Sequence, residues 1–115
     1  MNELIETIFQ NFTVEEETIP VSFLFYEGHG EPYVTYMQET ADGSFSGDDE
    51  LLGYVDYYDF DVYSTGNLTK IIEGVKELLK ANDFEWQPSR TSQDFFDKDT
   101  GYFHKTLSFA IPREV

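Results

Sequence analysis

The chain of 115 residues has no cysteine. That removes a disulfide framework, a thiolate metal site and a cysteine nucleophile, and it fits an intracellular origin. Residues 1–69 also lack lysine and arginine altogether, while holding 15 of the 23 acidic residues. The formal net charge is −16. Nucleic acids and anionic membranes are held by cations, so a chain this short of them is expected to bind neither stably. No apolar run approaches the roughly 20 residues of a membrane-spanning helix. The first twelve residues, MNELIETIFQNF, lack the basic start of a signal peptide. Only four prolines are present. Phosphate-cradling G-x-x-x-x-G-K-[ST] and G-x-G-x-x-G runs are missing, as is the G-x-S-x-G nucleophile elbow.

Aromatic residues are plentiful, at 17% with 11 Phe and 8 Tyr. A disordered chain is poor in such residues, so this one is expected to fold despite its charge. Its length suits a single domain, residues 1–115, with a core of its own.

The chain is organised around residues 51–79. Tyr54, Asp56, Tyr58, Phe60 and Val62 alternate with Val55, Tyr57, Asp59, Asp61 and Tyr63, the period of a long strand. The first set, Asp56 aside, is the better core face. A turn at 64–67 leads to a helix over 67–81, with a stripe of Leu68, Ile71, Ile72, Val75, Leu78 and Leu79. Asn67 or Thr65 suits its cap. Gly74 inside it weakens the helix unless another element approaches closely there.

Upstream, Leu4, Ile5, Ile8, Phe9 and Phe12 have helical spacing over residues 2–12. Residues 13–17 read as a solvated exit loop. Strands are expected over 19–27 and 33–40, paired antiparallel through a turn at 28–32. Residues 41–50, ADGSFSGDDE, read as a mobile acidic loop with Phe45 in its middle. Downstream, a hairpin of 84–96 and 102–111 turns at 97–101, where Gly101 is best able to take positive φ. The expected fold is α+β. One mostly antiparallel sheet carries two helices on one face, in the order α-β-β-β-α-β-β.

No constellation announces a reaction. A calcium loop begun at Asp59 fails, because its glycine position holds Ser64 and its twelfth position Lys70. Acid pairs are too numerous to single one out for glycoside hydrolysis. His29 and His104 read as surface residues. No catalytic residue, metal or cofactor is expected. The surface most suited to a subunit or partner is the strand face of Tyr57, Asp59, Asp61 and Tyr63, with Phe45, Asp48, Asp49 and Glu50 of the acidic segment.

Three stretches carry a family resemblance: YYDFDVYSTGN entering the helix, IIEGVKELLKANDFEW, and DFFDKDTGYFHKTLSFAIP. Over residues 20–115 the chain resembles the small tail-terminator or tail-completion proteins of long-tailed bacteriophages and prophages, encoded in the head–tail joining region. The resemblance implies a structural, non-enzymatic α+β protein. It implies a homo-oligomeric ring, a hexamer on assembly, that caps the tail tube and docks the head connector. The implied partners are the tail-tube and head-completion proteins. The implied places are the virion neck and, during assembly, the host bacterial cytoplasm. A ring needs two unlike patches per subunit, and the acid-only residues 1–69 against the remainder suggest them. The alternative is a small acidic inhibitor that mimics DNA and blocks a DNA-binding protein.

Overall fold

The protein is described by a computed structural model covering residues 2–26, 32–38, 42–47, 50–66 and 68–114. The longest element is strand β6, Glu50–Ser64. At about 3.4 Å per residue, fifteen residues extend about 50 Å. The long axis of the molecule is 52 Å, against 27 and 21 Å for the others. Strand β9, Phe103–Glu114, pairs antiparallel with β6 along its whole length, from Ser64↔Phe103 to Gly53↔Glu114. This β6–β9 ribbon is the spine to which every other large element attaches.

β4, Tyr33–Gln38, lies antiparallel on the other side of β6, and β3, Val21–Phe23, lies outside β4. The β3–β4 pair is parallel, with Val21 opposite Val34; an antiparallel hairpin was expected. The reason is local. Leu24 takes φ 65° and Phe25 N–H donates to Phe23 O at 2.7 Å, so the chain turns off after three strand residues. A strand this short leaves room for the chain to return and run alongside in the same direction. The expected turn at 28–31 lies outside the described residues.

β5, Asp42–Gly47, pairs antiparallel with the first part of β6, with two irregularities in register. The sequence reading of 41–50 as a loop is therefore corrected for 42–47. Glycine and serine disfavour a strand locally, but the long β6 offers a template, and bulges absorb the mismatch. The expected strand over 84–96 is broken into β7, Glu85–Trp86, a 3₁₀ turn at Pro88–Arg90, and β8, Phe95–Phe96. Pro88 has no N–H to give a ladder, and it opens the 3₁₀ turn instead. β7 and β8 each pair with β9.

Helix α2, Leu68–Lys80, buries Leu68, Ile71, Ile72, Val75 and Leu79 against the sheet. It ends in a Schellman motif. Asp83 takes φ 69°, Phe84 N–H reaches Leu79 O at 3.0 Å, and Asp83 N–H reaches Lys80 O at 3.3 Å. That motif sends the next side chain inward, so Phe84 is only 2% exposed. Helix α1, Asn2–Ile8, is shorter than its apolar stripe. Asn11 at φ 59° breaks the chain's path, and Phe12 joins the core from beyond the helix. The expected exit loop is a small hairpin of β1, Thr13–Val14, and β2, Glu17–Thr18. Glu15 and Glu16 turn it with φ 51° and 68°, the backbone of a type I′ turn without its usual glycine. Glu15 pairs with Lys70 of α2. The hairpin presses so close to α2 that a Cβ on Gly74 would stand 3.3 Å from the Phe12 ring. The close approach suggested by that glycine is thus to Phe12 and Val14.

The fold is α+β, with both helices contributing to one core on one face of the mostly antiparallel sheet. Phe60 is its centre. The ring meets Phe9 at 5.8 Å, Tyr36 at 5.9 Å and Phe109 at 5.7 Å between centroids.

Candidate binding cleft on the open face

Strand alternation on β6 sorts its residues as expected. Asp56, Tyr58, Phe60, Val62 and Ser64 are buried toward the helices. Asp56 goes with them and accepts from Gln38 Nε2 at 3.1 Å. Val55, Tyr57, Asp59, Asp61 and Tyr63 are half-buried on the opposite face. Four of these five, Tyr57, Asp59, Asp61 and Tyr63, are the partner-surface candidates on this strand. Tyr57 lies under the Arg90 guanidinium at 4.1 Å. Asp61 Oδ1 accepts from Thr106 Oγ1 at 2.5 Å and faces His104 Nε2 at 3.2 Å. Asp59 stands in register between Met37 and Ser108. Tyr63 belongs to a larger arrangement.

Antiparallel pairing places Tyr33, Tyr63 and His104 in one row across β4, β6 and β9. Their rings stack. Tyr33 and Tyr63 are 4.6 Å apart at 13°, and Tyr63 and His104 are 4.3 Å apart at 4°. Tyr26 continues the row beyond Tyr33 at 4.9 Å, and Phe95 continues it beyond His104 at 6.1 Å. Tyr102 closes the end, edge-on to Tyr33 and Tyr63. The result is a ladder of five rings beside an open cleft of about 580 Å³. Its far wall comes from the β8–β9 hairpin, which turns where expected. Gly101 has φ 77°, and its N–H donates to Asp97 O at 2.8 Å.

Burial, with the Asp61 charge and the neighbouring Tyr33, pushes the Tyr63 hydroxyl up to about 12. It is therefore a neutral phenol at any physiological pH. Asp61, His104 and Thr106 hold the residue types of a catalytic relay but not its geometry. Both Thr106 Oγ1 and His104 Nε2 point to the same carboxylate oxygen, so the imidazole does not stand between hydroxyl and acid. Among the described residues, no three His, Asp or Glu side chains converge to hold a metal ion. Within the same limit, no helix is long and apolar enough to cross a membrane.

Phe45 and Glu50 are placed in β5 and β6, away from the ladder along the ribbon. Asp48, Asp49 and His29 lie outside the described residues, as does the proposed cap Asn67. The structure brings Tyr63 and Asp61 together with residues that sequence reasoning left aside: Tyr26, Tyr33, Phe95, Tyr102 and His104. The signal was present but long-range. Tyr33 opens one strand, Tyr63 closes the next and His104 opens the last, so antiparallel pairing aligns all three. His104, read as a surface residue, is instead half-buried against Tyr63. Nor do the two charge halves of the chain separate in space. β6 is zipped to β9, and Glu15–Lys70, Asp61–His104 and Tyr57–Arg90 all cross the border at residue 69.

Compared with protein-family models and with curated proteins, the chain gives no significant match.

Proposed function

We propose that this chain is a structural assembly subunit of the phage tail-terminator or head–tail joining kind, acting through its surfaces rather than by a reaction. The observation that supports this reading is the cluster of exposed rings around the cleft. Phe25 is 69% exposed, Phe96 54% and Phe95 47%. A soluble monomer gains nothing by holding three phenylalanines in water at one end of a sheet, whereas a subunit covers them on assembly. A subunit that joins tail to head meets other virion proteins, and the aromatic cleft is a surface for such a partner. A separate free edge is the outer side of the ribbon at β5, which among the described residues pairs only with β6 and suits contact between copies in a closing ring. On this reading the protein works at the neck of the virion after assembly in the host cytoplasm. Its partners are further copies of itself, the tail-tube protein and the head-completion protein.

The test is deletion of the gene from the phage or prophage that carries it. Electron micrographs are expected to show over-long or unjoined tails, and normal virions would refute the role. The purified chain mixed with tail-tube protein is expected to form a ring-sized species by light scattering. Competition with DNA for a host enzyme, fading steeply with salt, would instead make it an acidic mimic.

A further inference from the structure

The cleft has walls of one kind and charge of one sign. Phe25 and Tyr26 form one side, Phe95 and Phe96 the other, and the Tyr63–His104 stack runs between them. Asp97 stands on the rim, its Oδ1 fixed by the Asp99 N–H at 2.9 Å. Among the described residues no lysine or arginine lines the cleft, and the whole chain carries −16. Nucleobases would stack on such rings, but their phosphates would meet this field with no cation to hold them. A purely apolar segment would cover the rings and leave the Asp97 carboxylate desolvated. A cation on an apolar stem satisfies both, since guanidinium lies flat on an aromatic face and pairs with a carboxylate. The protein already uses the ring half of this pairing with its own cations, Arg90 over Tyr57 at 4.1 Å and Lys76 over Trp86 at 3.5 Å.

We infer that the cleft docks an arginine-bearing, otherwise apolar segment of a partner protein. The exposed Phe25, Phe95 and Phe96 take the stem and guanidinium, and Asp97 takes the charge. The inference deepens the assembly reading and rests on it for the partner being a virion protein; the recognition chemistry stands on the cleft alone.

The probe is a fluorescein-labelled peptide, Leu-Arg-Pro-Leu-Arg-Pro, titrated against the full chain. A second peptide carries norleucine in place of arginine. The arginine peptide is expected to bind about tenfold tighter than the norleucine one, the size of a cation–π and carboxylate contact. Phe96→Ala and Asp97→Asn are each expected to weaken it roughly fivefold or more. Both side chains are exposed, so an unchanged melting temperature will show that the variants fold. The remote double change Glu3→Gln, Glu6→Gln is expected to weaken it less than about twofold, by long-range field alone. Aromatic NMR signals of Phe95, Phe96 and His104 are expected to move, while those of Trp86 stay still. Equal binding of the two peptides, equal loss in the remote variant, or no binding at about 1 mM would each overturn the inference. A failed titration with unjoined tails in the deletion would sink the docking chemistry alone. Normal binding with intact tails would sink the assembly role alone.

Discussion

The two faces of β6 use the same residue types for opposite ends. On the helix side, Phe60 meets rings at every angle, Phe84 and Phe109 edge-on at 85° and 89°, Phe9 tilted at 41° and Tyr36 stacked at 27°. On the open side, Tyr63 sits flat between Tyr33 and His104. Rings met at several angles tile a volume in three dimensions, and helices close it off. Stacking makes a row, which covers the faces of the inner rings and leaves their cleft-side edges, and the outer rings, to the solvent or to a visitor. The covered face thus carries stability and the open face is available for recognition.

The sharpest way to break this contrast is to truncate one ring on each face. Phe60→Ala is expected to cost about 3–5 kcal/mol, by lost burial and the cavity left behind. Tyr63→Ala removes a larger side chain but is expected to cost only about 1–2 kcal/mol, since it breaks two stacking contacts on a half-open surface. Urea melts of both will rank them; a Tyr63 cost equal to that of Phe60 would erase the distinction between the faces. The covered side should also resist additions. Gly74→Leu would drive a side chain into Phe12 and Val14, and a loss of about 1–3 kcal/mol is expected in the same melts.

A smaller effect of opposite sign tests how dry the covered face is. The Tyr36 hydroxyl is buried without a hydrogen-bond partner among the described residues. Burial, helped by the Glu6 charge, raises its pKa. Tyr36→Phe is expected to stabilise the protein by about 1 kcal/mol, because it removes a desolvated polar group and keeps the ring. The last test belongs to the open face at high pH. The Tyr63 pKa is raised to about 12, above the 10 of an unfolded tyrosine. Between those values the unfolded chain releases this proton first, so stability is expected to fall as pH rises from 10 toward 12. Tyrosinate absorbance should show Tyr63 titrating late, together with the buried Tyr36, and Tyr63→Phe should remove its own part of that late step and its share of the pH dependence.

Much of this was legible beforehand, for identifiable reasons. The alternation of 54–63, the stripe of α2, its end at residues 81–83 and the positive φ of Gly101 are set by neighbours a few residues away. The α+β class follows from them. The parallel β3–β4 pair was not legible, because it hangs on Leu24 taking a left-handed backbone that nothing in its side chain favours. β5 was not legible, because Asp42 and its glycine and serine neighbours speak for a loop and only the template of β6 overrides them. Of the candidate site, Tyr63 and Asp61 were named and His104 and Tyr33 were not.

What this chain's sequence determined alone is therefore local: which residues of β6 face inward, where α2 starts and stops, and how acidic the first 69 residues are. Only tertiary structure decided that Tyr33, Tyr63 and His104 form one stack, and that the acidic half is laced to the rest rather than set apart. Side-chain period is a property of each strand taken singly. Register is a relation between strands 30 to 70 residues apart, and it is settled by the burial of Phe60 and its neighbours on the opposite face.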